Sequence, residues 1–191
     1  MTLQRMFDAS TPPAEPYPGC AAVAGYIGGN TPHVWTLAEW QRFGELRQLP
    51  IWVYGQGSTS AVGEGFTAAD RAVKLGWKPD LPAGTLKHRR VIVLDMETDI
   101  DAPFVRGFAA EVHRQGFGCW VYGSKATVYS DPHVDGYWVA LWDGKASLEA
   151  LPDAVAHQFA AEVPWGGGAV DLSVVSGAGL AHLGRGPRRA A

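Results

Sequence analysis

The sequence predicts an α/β fold, a shortened TIM-like β/α barrel, on three observations. Eight short segments are typical of strands, and most are continuous apolar runs of the kind found in strands covered on both faces. Helix-like segments follow several of the early strands, and this alternation indicates a parallel sheet. The chain has 191 residues, whereas a full barrel of this type has ~250. We therefore expect regular βα units in the first half and helix-poor connections in the last three strands.

The predicted strands cover residues 4–9, 21–28, 50–56, 90–98, 117–124, 136–142, 154–160 and 169–175. The last two are joined only by AEVPWGGGA, at 161–169, and a parallel crossover takes about a dozen residues or more. One late strand is therefore expected to run antiparallel. An open doubly wound sheet is the structural alternative.

The predicted helices cover residues 36–48, 63–76 and 101–116. In the first, Thr36 and Glu39 form the pattern of a capping box. In the third, Asp101 is the predicted N-cap and Gly116 the predicted stop. Each of these helices ends shortly before the next strand begins.

Composition limits the number of domains and the classes of partner. A chain that is 47% hydrophobic and 18% charged suits one domain, which we place at 1–176, followed by a flexible basic tail at 177–191. The net charge of -3 offers nucleic acid no bulk attraction. No run approaches the ~18–20 apolar residues of a membrane span. We expect neither nucleic-acid binding nor membrane insertion.

Two isolated cysteines carry little functional information. Cys119 lies in an apolar run and is interpreted as a buried free thiol, although a disulfide with Cys20 stays open. No cysteine or histidine cluster has the spacing of metal ligands.

The stretch VIVLDMETD, residues 91–99, contains the strongest chemical signal. Side chains alternate along a strand, so Asp95 and Glu97 point the same way, about 6.6–7 Å apart at Cα, while Met96 points to the opposite face. In a β/α barrel, the carboxyl end of a strand is where sites form. Asp99 and Asp101 are better explained as acids at the start of the next helix.

Two further strands add acids to this predicted site. Asp8 ends the first strand and Asp171 lies near the start of the eighth. Crowded carboxyl groups in a low-dielectric cleft do not all ionise, so at least one is expected to keep its proton near neutral pH. A protonated acid beside an ionised one is the pairing that glycosidic cleavage uses.

Aromatic and amide side chains surround the same strand ends and suit a sugar ring. The predicted substrate contacts are Tyr26, Tyr54, Gln56, Tyr122, Trp138, Trp142 and Gln158. A core role is the alternative for the strand aromatics Tyr54, Tyr122, Trp138 and Trp142. His157 is interpreted as a hydrogen-bonded core histidine.

In its ordered motifs the chain resembles the family 25 glycoside hydrolases, the lysozyme-type muramidases. More closely it resembles the actinobacterial and phage glycoside-hydrolase-like domains related to them. The matching pieces are FDAS, AGYIGG, VIVLDMET, CWVYGS, YWVALW, AHQFA and VDLSVV, within about residues 5–175. At the third strand the family usually has an aromatic–histidine pair, where this chain has VYGQ. The resemblance implies the same shortened barrel.

The resemblance also implies roles for the acids. Glu97 takes the general-acid place, and Asp95 takes the partner place that orients the substrate or stabilises charge. Asp8 and Asp171 take the first- and last-strand acid places. The implied substrate is the β-1,4 bond after N-acetylmuramic acid in peptidoglycan, the bacterial cell-wall glycan, and no metal or organic cofactor is needed.

Three functional hypotheses follow. The leading one is a peptidoglycan-directed, muramidase-like glycoside hydrolase. The second is a non-catalytic glycan-binding or structural barrel of a phage tail, a phage lysin or a cell-surface assembly. The third is a hydrolase that uses the four acids as oxygen ligands for Mg²⁺ or Ca²⁺. We expect action outside the cytoplasm, with phage structural or lysis proteins as candidate partners, although MTLQRMFDAS has no signal-peptide core.

Overall fold

Eight strands close into a barrel in chain order. The computed structural model describes residues 2–55, 57, 60–79, 90–97, 101–125, 133–151, 153–184, 186 and 187. The strands are β1 (Leu3–Asp8), β2 (Cys20–Gly29), β3 (Arg47–Val53), β4 (Val91–Asp95), β5 (Gly118–Ser124), β6 (Gly136–Ala140), β7 (Ala154–Trp165) and β8 (Gly168–Ser176). The closed barrel confirms the predicted fold class and rules out the open doubly wound sheet.

The direction of β8 differs from that of the other strands. Strands β1 to β7 pair in parallel, whereas β8 runs antiparallel to both β7 and β1. The expectation of one antiparallel late strand is therefore confirmed. Gly166 and Gly167 form the two-residue turn between β7 and β8, with φ of 58° and 83°, the left-handed backbone that a tight hairpin requires.

Four described helices accompany the barrel: α1 (Leu37–Arg42), α2 (Ala61–Lys74), α3 (Ala102–Arg114) and α4 (Gly177–His182). The first three follow β2, β3 and β4, which gives the regular βα units of the first half. The β1–β2 connection, 9–19, contains no helix. Between β6 and β7, residues 141–151 and 153 also form none.

The predicted helix caps are present. Thr36 and Glu39 form a capping box at α1, and the Asp101 carboxylate accepts from the Phe104 N–H at α3. The first helix is nevertheless shorter than predicted, because Arg47 already begins β3. Leu49 and Ile51 fill the barrel interior, and this tertiary packing outweighs the local helical spacing.

The core has two layers, divided by the sheet. Inside the barrel, Trp120 and Trp138 are fully buried among small residues such as Ala22, Ala24 and Ala156. The outer layer packs the sheet against the helices and includes Trp35, Trp40, Trp77, Phe108 and Met96. The interior is therefore filled, and polar chemistry is confined to one end of it.

Part of the predicted flexible tail is ordered. Residues 177–182 form α4, Leu183 is 1% exposed, and the Gln48 N–H donates to the Gly184 carbonyl. These residues belong to the packed barrel, because Leu180 and Leu183 lie against the interior cluster at its end. Residues 185 and 188–191 lie outside the described residues.

Neither Cys20 nor Cys119 forms a disulfide among the described residues, and Cys119 is a buried thiol, as the sequence analysis preferred. Burial also raises the pKa of the Cys20 thiol to about 11, so it stays protonated and unreactive at neutral pH. Among the described residues, no helix is both long enough and apolar enough to cross a membrane.

Replacement of Gly25 by alanine tests the packing of the barrel against its outer layer. A Cβ at Gly25 would lie 2.6 Å from the Trp35 ring, whereas at Gly168, also in a strand, it would meet nothing within 4 Å. We expect Gly25→Ala to lower the free energy of unfolding by about 1–3 kcal/mol and Gly168→Ala to change it little. Urea denaturation of both variants measures the difference, and equal midpoints would contradict this account.

Candidate active site

Four carboxyl groups from three strands meet at one end of the barrel. Asp8 ends β1, Asp95 ends β4 and Glu97 follows it by two residues. Because β8 is antiparallel, its early residue Asp171 pairs directly with Asp8. The structure thus brings together all four acids that the sequence analysis selected, and each influences the ionisation of another.

Glu97 is the accessible member of the Asp95–Glu97 pair. Its side chain is exposed and lines a cleft of about 300 Å³ together with Tyr122, Ser124, Ala140 and Trp142. Trp142 is 66% exposed and forms an aromatic side of this cleft. A larger depression of about 370 Å³, lined by residues such as Arg106 and His113, lies away from the four acids.

Asp95 is buried beside Glu97 and holds a proton near neutral pH. It is 3% exposed, and burial followed by repulsion from Glu97 raises the pKa of its carboxyl group to about 8. Its Oδ1 atom is buried without a hydrogen-bond partner among the described residues. A neutral carboxyl group is easier to bury than an ionised one, which agrees with the predicted retention of a proton among the crowded acids.

Gln158 links the other two acids to the aromatic side of the cleft. Its amide NH₂ donates to Asp8 Oδ2 and to Asp171 Oδ2, each at 3.2 Å. Its Oε1 accepts from the Tyr122 hydroxyl at 2.8 Å and from Trp142 Nε1 at 2.7 Å. At 1% exposure, Gln158 has little surface for substrate and acts by holding its neighbours.

The Asp8–Asp171 pair also resists ionisation. Burial, then the charge of Asp171, raises the pKa of Asp8 well above its usual value, although the Gln158 hydrogen bond opposes this. Burial likewise raises the pKa of Asp171, against a hydrogen bond from the Glu162 N–H to Asp171 Oδ1 at 2.7 Å. Glu162 was not predicted from the sequence. It has φ of 55° at an irregularity of β7, an uncommon backbone conformation for a residue with a side chain.

Two tyrosines complete the polar lining as neutral donors. Burial raises the pKa of both Tyr26 and Tyr122, and the neighbouring carboxylates raise it further. Tyr26 is half-buried and therefore keeps surface for a ligand. Tyr122, at 8% exposure, lines the cleft while its hydroxyl donates to Gln158.

Two of the predicted substrate contacts, Tyr54 and Trp138, do not line this cleft. Tyr54 packs outward on α3, with its ring centroid 4.6 Å from that of Phe104. Trp138 is 1% exposed and donates from Nε1 to Ser173 Oγ at 3.1 Å, so it supports the site from within. Strand alternation from Leu49 and Ile51 would have placed Tyr54 on the outer face. Gln56 lies outside the described residues.

Ser124 is a cleft residue that the sequence analysis did not select. It lies two residues after Tyr122 at the end of β5, and strand alternation places both on the inner face. That alternation was the signal that could have found it.

The metal hypothesis finds no support in the geometry. Within the part of the chain that the structure describes, no three His, Cys, Asp or Glu side chains lie close enough to hold a metal ion. Asp8 and Asp171 instead share the amide donor of Gln158.

No protein-family model matches the sequence, and no curated protein matches it. Solved structures do. A muramidase from Acremonium alcalophilum has a TM-score of 0.60 at 13% identity, over 94% of this chain and 99% of that one. A bacterial lysozyme from Streptomyces coelicolor has a TM-score of 0.60 at 17% identity, over 86% and 87%. A family GH25 lysozyme from Aspergillus fumigatus has a TM-score of 0.58 at 15% identity, over 92% and 95%.

The chain has the fold of the family 25 lysozymes. An uncharacterized protein from B. stearothermophilus shares it, with a TM-score of 0.73 at 13% identity, over 94% of this chain and 99% of that one. The resemblance noted from the motifs is therefore correct at the level of fold. Because one fold can carry several activities, function has to be argued from the site.

Replacement of Asp95 by asparagine tests whether the buried acid keeps its proton. Between about pH 4, where a free aspartate ionises, and about pH 8, where Asp95 does, the unfolded chain releases a proton that the folded protein retains. Stability therefore falls as pH rises through this window and levels off above it, by up to about 1.4 kcal/mol per unit for one proton.

Asp95→Asn removes this proton from the balance, so its unfolding free energy should fall less steeply than that of the wild type between about pH 4 and 8. Urea denaturation across this range measures both slopes. Glu45→Gln, at an exposed carboxyl group, is the control and should keep the wild-type slope. A slope for Asp95→Asn equal to the wild type would mean that Asp95 is ionised in the folded protein.

Proposed function

We propose that the protein is a peptidoglycan-directed glycoside hydrolase that cleaves β-1,4 glycosidic bonds by carboxylate chemistry. One observation carries the proposal: the exposed Glu97 lies beside the buried, protonated Asp95 at a cleft that Trp142 lines. The fold shared with lysozymes and a muramidase supports the choice of cell-wall glycan as substrate.

In this mechanism the two coupled acids Asp95 and Glu97 hold one proton between them near neutral pH and can exchange it. In the open cleft the proton resides on Asp95, the buried member. A sugar bound over Glu97 excludes water, and burial favours the neutral form of a carboxyl group. Glu97 can then take up the proton and donate it to the leaving glycosidic oxygen.

The same transfer leaves Asp95 ionised when it is needed. As the glycosidic bond breaks, positive charge develops on the sugar ring, and a carboxylate at Asp95 stabilises that charge or orients the N-acetyl group of the substrate. Water then adds to the anomeric carbon, and the proton that it releases returns to the Asp95–Glu97 pair. Asp171, which is partly exposed, is placed to assist. Asp8 and Gln158 touch no substrate in this scheme and fix Asp171 and the aromatic side of the cleft.

Glu97→Gln tests the catalytic role. The amide keeps the size of the side chain and cannot donate the proton, so we expect the release of reducing ends from purified cell wall to fall by about 10²–10⁴-fold. Binding to insoluble cell wall in a pull-down should persist. Glu45→Gln, exposed and outside the cleft, is the matched control and should retain wild-type activity.

The pull-down separates the two classes of function. Retained binding with no release of reducing ends, by the wild type or by Glu97→Gln, would replace the hydrolase by a glycan-binding barrel of a phage tail, lysin or surface assembly. Equal release by both proteins would remove the catalytic role of Glu97. Action outside the cytoplasm belongs to the same proposal, and association with phage proteins stays a prediction from the sequence.

Trp142→Ala tests the aromatic side of the cleft. Loss of a stacking surface should weaken glycan binding by about 3- to 10-fold, the equivalent of ~0.5–1.5 kcal/mol, and should raise KM more than it lowers kcat. Trp142→Phe keeps a ring and should lose less. A proportionate fall in kcat with unchanged KM in both variants would show that Trp142 does not contact the substrate in the ground state.

A further inference from the structure

We infer that His157 is a positioning residue that fixes Trp142 at the cleft. It does so through hydrogen bonds to carbonyls of the β6–β7 loop, on the side away from the cleft. His157 lies on β7 and is 1% exposed. Its Nδ1 atom is 2.7 Å from the Ser147 carbonyl oxygen, and its Nε2 atom is 2.7 Å from the Leu141 carbonyl oxygen. The role of Trp142 as a sugar contact rests on the proposed function, whereas the contacts of His157 do not.

Both contacts require the ring nitrogen to be a donor. A carbonyl oxygen only accepts hydrogen bonds, and a neutral imidazole has one N–H, so both bonds form together only when the ring carries two protons. Asp143 Oδ1, 3.8 Å from Nε2, places a negative charge beside that ring. The other charged groups lining the 190 Å³ cavity at His157 are Lys145 and Glu149, both on the loop.

The loop residue that His157 contacts is the neighbour of Trp142 in the chain. Leu141, whose carbonyl His157 engages, precedes Trp142, and its N–H donates to the Gln158 carbonyl at 3.0 Å. Trp142 itself donates from Nε1 to the Gln158 side chain, and the Gly144 N–H donates to the Phe159 carbonyl at 3.0 Å. Consecutive residues of β7 therefore anchor an indole that is 66% exposed.

The histidine compensates for a helix that the fold omits here. A helix satisfies most of its own backbone groups, but carbonyls of an irregular loop packed on a sheet need other donors. In residues 141–151, which form no helix, the Ser147 carbonyl finds that donor in His157, and the Leu141 carbonyl accepts from both His157 and the Asp143 N–H, each at 2.7 Å. Removal of the imidazole would take a donor from the Ser147 carbonyl and loosen the segment that carries Trp142.

Nitrogen-15 NMR tests the inference, with His157→Gln and Trp142→Phe used to assign the imidazole and the Trp142 indole. We expect wild-type His157 to show two protonated ring nitrogens, and the Trp142 indole resonance to change at the pH at which the ring loses a proton. In His157→Gln that transition should vanish. His113→Gln, which breaks a 2.7 Å pair with Asp135 on the outer face, is the control and should keep it.

Glycan affinity supplies the functional arm. The Kd for a soluble tetrasaccharide of alternating N-acetylglucosamine and N-acetylmuramic acid should rise about 3- to 10-fold in His157→Gln and stay near wild type in His113→Gln. A single protonated ring nitrogen throughout, or a Trp142 resonance indifferent to the titration of His157, overturns the inference.

The NMR experiment and the affinity measurement test different claims and can fail independently. If the wild type binds no glycan, the proposed function fails, and the NMR titration alone decides the role of His157. Should His157→Gln not fold, the wild-type titration still gives both decisive readings. If glycan binds and the NMR transition is present but affinity is unchanged in folded His157→Gln, positioning by His157 is refuted.

Discussion

Closure of the barrel by an antiparallel strand determines where the chemistry lies. A parallel eighth strand would carry Asp171 to the end opposite the carboxyl ends of its neighbours. Because β8 runs the other way, Asp171 pairs with Asp8 and joins Asp95 and Glu97. The two-residue turn at Gly166 and Gly167 makes this reversal possible. The position of Asp171 at the site therefore depends on this turn.

The carboxyl groups at the end of the filled barrel are costly to ionise. The interior below them is packed with aromatic and aliphatic side chains, so burial raises the pKa of Asp8, Asp95 and Asp171. In the proposed mechanism, the difference in burial between Asp95 and Glu97 keeps a proton next to an accessible acid. Glycosidic cleavage requires such an unequal pair, and equal burial of both acids would not produce it.

The second half of the barrel shows how a shortened fold keeps its loops in place. The helix α3 satisfies its own backbone groups where it covers the sheet, whereas in the β6–β7 connection the Ser147 and Leu141 carbonyls accept from His157. On the other side of the same strand, Gln158 joins Asp8, Asp171, Tyr122 and Trp142. Adjacent residues of β7 thus organise the loop behind the cleft and the polar network within it.

The sequence by itself determined the barrel class, the antiparallel late strand, the helix caps and the four acids. These follow from local rules: apolar runs, connection length, capping residues and the alternation that aims Asp95 and Glu97 together. The same alternation assigns Tyr54 to the outer face, where it packs on Phe104. The short α1 and the helix α4 were not predicted. Packing against residues distant in the sequence, not local spacing, sets the limits of both helices.

Only the tertiary structure decided which groups are buried and which are accessible. Asp95 and Glu97 are equivalent in the sequence, and Trp138 and Trp142 both follow the inner-face alternation of β6. Burial depends on which other strands and loops pack over each side chain. A short stretch of sequence does not contain that information. The sequence analysis missed Glu162 for the same reason. Its backbone N–H donates to Asp171 only because the pairing of β7 with β8 is irregular at this point.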